Sequence, residues 1–155
     1  FTARVRRGEL DGHMSIDLGG ADAAYEVAAR LESASYRGGE LSGDGQLVTS
    51  GFAEELYWNL RAAGSFRAQD IALEGAPERL SLSGEWRLRW DRRQPHLQLS
   101  GVRMTDGKDT LVGGGQTGDT GELQVELSGQ ERRLRLSGSL SPFRLEASEG
   151  PPQRE

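Results

Sequence analysis

Residues 80–90 read LSLSGEWRLRW. Leu80, Leu82, Gly84, Trp86, Leu88 and Trp90 alternate with Ser81, Ser83, Glu85, Arg87 and Arg89. Successive side chains of a strand point to opposite faces, so this stretch is a ribbon with one apolar and one polar face. What covers the apolar face decides the fold and bears on function: a second sheet, or something the chain does not encode.

The same alternation extends to both sides. Upstream, Met14, Ile16 and Leu18 alternate with Ser15 and Asp17, and Tyr25, Val27, Ala29, Leu31 and Ser33 form one face of a longer strand. LSGDGQLVT (41–49) is a Gly-rich strand. Downstream come HLQLSGVRMT, DTLVGGGQ, ELQVELS, LRLSGSL and FRLEA, joined by short turns rich in Gly, Asp and Arg. Many strands with short turns predict a mostly β protein built as a curved, largely antiparallel, meandering sheet, either an open groove or a flattened barrel or sandwich. Phase shifts near Gln69–Asp70 and at Gly101 predict bulges. LSG recurs five times, at 41, 82, 99, 127 and 136. The spacing is irregular, so it marks a repeated local solution rather than a solenoid. Glycines on the inward phase, Gly43, Gly45, Gly84 and Gly138, let a sheet curve and leave its concave side roomy.

The period changes once. In FAEELYWNLRAA (52–63), Phe52, Leu56, Leu60 and Ala63 recur at helical intervals, with Ser50 as N-cap and Gly64 past the end. Leu56, Trp58 and Leu60 also alternate as in a strand. The Ala, Glu and Leu content favours one short α-helix near 52–63. Residues 1–147 are expected to be a segment of a longer protein, and 148–155 a disordered polar tail.

Composition narrows the function classes. The chain has 155 residues, net charge −5 and no cysteine. Disulfide scaffolds and thiolate metal sites are excluded, and the general basic footprint of a nucleic-acid binder is missing. Leu outnumbers Ile and Val, at 20 against 2 and 6, and Arg outnumbers Lys, at 18 against 1. A GC-rich genome accounts for both biases; the sharper reading of the Leu excess is a surface facing flexible acyl chains. His13 and His96 both fall on the polar phase and lack metal or acid–base partners at usable spacing. GGG (113–115) has no following Lys-Ser/Thr and reads as a strand. The turns at 106–109 and 117–120 lack the calcium-loop pattern. There is no Gly-x-Ser-x-Gly elbow. No catalytic residue, metal site or cofactor is expected. Glu122, Glu126, Arg133 and Arg135 are expected to pair across a hairpin on the wet face.

The feature left over is the apolar face itself. Stretch 25–75, then LSLSGEWRLRW, HLQLSGVRMTDGKDTLVGGG and GELQVELSGQERRLRLSGSLSP, resembles the C-terminal region of AsmA-like proteins. The parts are a strand ending in a Gly-rich bend, a short xAEELxxxL helix, a Gly-x-Phe strand, and strands built on LSG and LxGxG. The resemblance covers residues 20–146. Ala63 departs from it, since Gly is common there, and no N-terminal anchor is present. The resemblance implies a bridge-type lipid carrier of a diderm envelope, with periplasmic location, inner-membrane attachment through a missing N-terminal segment, and a part in phospholipid transport or outer-membrane assembly. It implies acyl chains against Leu80, Leu82, Trp86, Leu88, Trp90, Leu97, Leu99, Leu123, Val125, Leu127, Leu134, Leu136 and Leu140, and neighbouring β modules at the sheet edges. Replacing Leu82 and Leu136 by Glu is then expected to abolish lipid association and leave the sheet folded. The alternative is a closed β-sandwich that scaffolds an envelope or secretion complex and holds no lipid.

Overall fold

The computed structural model describes residues 2–5, 7–74, 76, 78–91, 94–105, 107, 109–130, 132–140 and 143–149, with the backbone alone at 2–5, 91, 140, 143–147 and 149. Among these, eleven strands form one sheet in sequence order. They are β1 (Thr2–Val5), β2 (Gly8–Asp17), β3 (Ala24–Tyr36), β4 (Gly39–Ser50), β5 (Arg61–Ile71), β6 (Leu80–Asp91), β7 (Gln94–Thr105), β8 (Thr110–Thr117), β9 (Glu122–Ser128), β10 (Arg133–Leu140) and β11 (Phe143–Glu149). Every neighbouring pair is antiparallel. No pairing among the described residues joins β1 to β11, so the sheet is open. The two facing sheets of a sandwich do not form.

Register explains why the alternating pattern makes one continuous apolar face. Gly12, Ala29, Gly45, Gly64, Trp86, Leu99, Gly115, Val125 and Leu136 stand opposite one another in turn from β2 to β10. A parallel row runs Met14, Val27, Leu47, Ala62, Leu88, Leu97. Residues directly opposite across a ladder share a face, so a single period-two phase carries across the sheet.

The sheet coils because its registers slip. Bulges interrupt β3 between Leu31 and Ala34, β5 between Ala68 and Ile71, the β6–β7 pair between Ser83 and Glu85, and the β7–β8 pair between Leu99 and Val102. The shifts expected at Asp70 and Gly101 are present, at φ 54° and 56°. The bulge at Ser33, φ 50°, is not signalled by composition. It turns Ser33 out, its N–H donating to Ser42 Oγ at 3.0 Å, and puts Ala34 in the inward place expected for Ser33. Glycine permits the tightest approach between strands. A Cβ on Gly115 would fall on the Gln124 carbonyl of β9.

Coiling gathers the apolar face of the C-terminal half onto itself. Ala68, Ile71, Leu80, Leu82, Val102, Met104, Leu111, Leu123, Val125, Leu127, Leu134 and Leu136 form one buried cluster, which Leu73 joins from the β5–β6 connection. Tyr36, Leu41, Phe66, Leu97 and Leu99 pack against it from the half-buried region. Arg79 fastens the same end, its Nη1 donating to the Asp70 carbonyl at 2.6 Å and the Gly38 carbonyl at 3.1 Å.

The helix expected near 52–63 is one turn, α1 (Glu55–Trp58). Ser50 does not cap it; the N-cap is Glu54, with no side-chain capping bond. Arg61, Ala62 and Ala63 instead belong to β5, where ladder pairing with β4 and β6 overrides their helix propensity. Thr49 Oγ1 donates to the Leu56 carbonyl at 2.5 Å and ties α1 to β4. At the other end, Ser148 and Glu149 pair with Arg135 and Leu134, so strand continues into what was expected as tail. Residues 150–155 lie outside the described residues.

Candidate apolar groove

The apolar face changes character along its length. On β8–β10 it is sealed: Leu123, Val125 and Leu127 are 1–2% exposed. Over β2–β4 and the adjoining parts of β5 and β6 it is less covered, while Ala68, Ile71, Leu80 and Leu82 at the other end of β5 and β6 are buried. Met14 is 60% exposed and Ile16 51%, while Val27, Leu31, Leu47, Trp86 and Leu88 are half-buried. An apolar trough of about 440 Å³ lies over this half, walled by Leu10, Val27, Leu31, Leu47, Phe66, Trp86 and Leu88. That volume falls in the range of small-molecule pockets, about 300–1,000 Å³.

Aromatic rings over glycines make the floor. Trp86 crosses the Gly64 position and reaches Gly45, where an added Cβ would stand 2.6 Å from Cζ2. Phe66 does the same at Gly84, 3.0 Å from Cε1. With no side chains on those glycines, the rings cover backbone that would otherwise present polar groups to the trough. At one end α1 lies against β4 and β6, with Tyr57 and Trp90 rings 5.8 Å apart. Leu18 at 72% exposure, Phe52 at 59% and Trp58 at 48% leave that end of the molecule apolar on its surface.

The residues expected to face lipid divide into two groups. Trp86, Leu88, Trp90, Leu97 and Leu99 are half-buried on the open or bordering part of the face. Leu80, Leu82, Leu123, Val125, Leu127, Leu134 and Leu136 are buried against one another in the core. In this conformation their apolar surface is already satisfied by one another. The side chain of Leu140 lies outside the described residues. Conversely, Leu10, Val27, Leu31 and Leu47 of the N-terminal strands line the trough and are not among the residues expected to face lipid. Their signal was the same alternation, diluted by the Ala and Gly between them.

The opposite face is polar. Arg135 Nη2 lies 2.8 Å from Glu126 Oε1, the cross-strand pairing expected there, and both side chains are exposed. Such a pair contributes about 0–1 kcal/mol. Arg133 instead stands opposite Ser128, and Glu122 opposite Ser139. His13 is exposed and His96 half-buried, both on this side. Among the described residues no group of three His, Asp or Glu side chains is placed to hold a metal ion, and no helix is long and apolar enough to cross a membrane.

No family model, curated protein or solved structure matches the chain.

Proposed function

We propose that this protein is a non-catalytic lipid-binding β-groove module, and that the trough over β2–β6 takes phospholipid acyl chains. The observation that carries the reading is the uncovered apolar face. A run of Met, Leu, Val, Ala, Phe and Trp side chains, in register over five strands, is left exposed at Met14 and half-buried elsewhere save at buried Ala62, beside a sealed core. Contiguous exposed apolar surface of this kind marks a binding site on a soluble-facing protein. Acyl chains suit it because the surface is long, featureless and lined by apolar side chains. Burial is worth about 0.8 kcal/mol per methylene against water, whereas exchange with a bilayer is near neutral, which lets a chain enter and leave.

The resemblance to AsmA-like proteins supports the same reading and gives it a setting: the periplasm of a diderm envelope, an inner-membrane anchor elsewhere in the protein, and a role in phospholipid transport or outer-membrane assembly. Neighbouring β modules would then add to the sheet through its edges. β1 pairs only residues 8–11 of β2, which leaves the 13–17 stretch of that strand with a free side among the described residues.

The second reading is a scaffold module without lipid. The sealed rows on β8–β10 favour it, since that half has no room for a ligand. Lipid extraction and mass spectrometry of the purified protein, with fluorescent-lipid uptake beside it, separates the two. Stoichiometric phospholipid supports the groove. A stable, lipid-free protein that takes up no fluorescent lipid supports the scaffold.

A further inference from the structure

The polar face carries its own hollow, of about 540 Å³, across β4–β8. Register sets its lining. Val48, Arg61, Arg89 and His96 stand opposite one another in turn on β4, β5, β6 and β7. The adjoining row is Gln46, Ala63, Arg87, Gln98 and Gln116. All of these line the hollow, and no carboxylate does among the described residues. Carboxylates stand at its borders: Glu26 lies beyond Val48 and accepts from Gln46 Nε2 at 2.5 Å, and in the next row Asp44 and Glu85 share the polar phase of Gln46 and Arg87.

Arg61 and Arg89 are directly opposed. Like charges in that position destabilise a sheet. No ion pair relieves them: among the described residues neither they nor Arg87 takes part in one, and Arg61 Nη1 donates only to the Leu60 carbonyl at 3.5 Å. The cluster is also a local departure in a chain of net charge −5. A GC-rich genome supplies arginines but does not gather three unpaired guanidiniums around one hollow; an anion gives that grouping a use.

We propose that this hollow binds a phosphate group. Guanidinium forks match phosphate oxygens, and three of them with the Gln98, Gln116 and His96 donors exceed what a two-oxygen carboxylate can use. The ligand is a phosphate ester, supplied either by a lipid headgroup at a membrane surface or by a soluble phosphate compound. The site is on the other face from the apolar trough and does not depend on it.

The test is an amide-resolved NMR titration at constant ionic strength. Inorganic phosphate is compared with chloride, and phosphatidylglycerol vesicles with phosphatidylcholine vesicles. Saturable shifts at Arg61, Arg89 and His96 with phosphate, or vesicle binding that requires phosphatidylglycerol, support the site and tell the two sources apart. The double variant Arg61→Gln, Arg89→Gln is expected to weaken either response about tenfold or more, as loss of charge-assisted hydrogen bonds does. Its melting temperature should be unchanged or raised, since the opposed charges are gone; Arg87→Gln provides a second, independent variant. The proposal is overturned if neither probe moves these amides beyond the chloride and phosphatidylcholine controls, or if both variants respond as the wild type does.

Discussion

Trp86 lies over Gly45, two strands away: a Cβ built on Gly45 would stand 2.6 Å from Trp86 Cζ2 and 3.1 Å from Cη2. Gly64 stands between them in register. The indole therefore spans two neighbouring strands and roofs their backbone. This one contact ties the inward glycines to the trough, because the ring can reach Gly45 only while that position lacks a side chain.

Gly45→Val should push the indole off its bed. Overpacking of this kind costs about 1–3 kcal/mol. In a Trp58→Phe, Trp90→Phe background, the remaining Trp86 emission should shift to the red and lipid uptake should fall. Unchanged Trp86 emission would mean that the ring does not rest on Gly45.

The core and the trough should respond oppositely to charge. Leu82 and Leu136 are 5% and 2% exposed. Glu at either place strands an unpaired carboxylate among apolar neighbours, at several kcal/mol, and should unfold the sheet. The sequence alone predicted loss of lipid from a folded sheet at these positions; their burial reverses that expectation. Leu47→Glu, at a half-buried site in the trough, should change stability by about 1 kcal/mol or less and still abolish lipid binding. Circular dichroism melts and lipid uptake on the same samples check both.

Much of the fold was legible, and for a physical reason. Alternation at period two fixes which residues share a face, and short polar turns fix antiparallel neighbours, so the meander and the bulges at Asp70 and Gly101 follow from residue order. The extent of α1 did not, because Arg61–Ala63 have helix-compatible side chains but lie between two strands that need a partner. The divided apolar face was hidden too. Leu88 and Leu136 look alike in sequence; only the tertiary neighbours each one meets decide which is enclosed, and Leu136 lies in the buried cluster while Leu88 does not.

Arg79 should act as a fastener. It bridges the β3–β4 turn and the Asp70 bulge through two carbonyls and lies 3.4 Å from the Asp70 carboxylate, though half exposed. Most of its effect comes from the carbonyl bonds. Arg79→Ala should cost about 1–2 kcal/mol and lower the melting temperature by about 2–4 °C per kcal/mol. A melting temperature within error of the wild type would mean that the bulge holds itself.

The 13–17 side of β2, unpaired among the described residues, should be a site of self-association in this chain. Met14 and Ile16 are exposed there, and unpaired strand edges template pairing with other chains. Ile16→Lys should reduce any concentration-dependent dimer seen by light scattering and leave the melting temperature within about 0.5 kcal/mol equivalent. A dimer that persists in the variant would point to another surface.

The central claim is that acyl chains lie on the open half of the apolar face and not on the sealed half. Photocrosslinking with a phospholipid carrying a diazirine in its acyl tail, followed by peptide mapping, reads this directly. Attachment should concentrate at Val27, Leu47, Ala62, Trp86 and Leu88, across strands that are neighbours in space but distant in sequence. Attachment at Val125, Leu127 and Leu136 instead, or no attachment above that of a solution control, would contradict it.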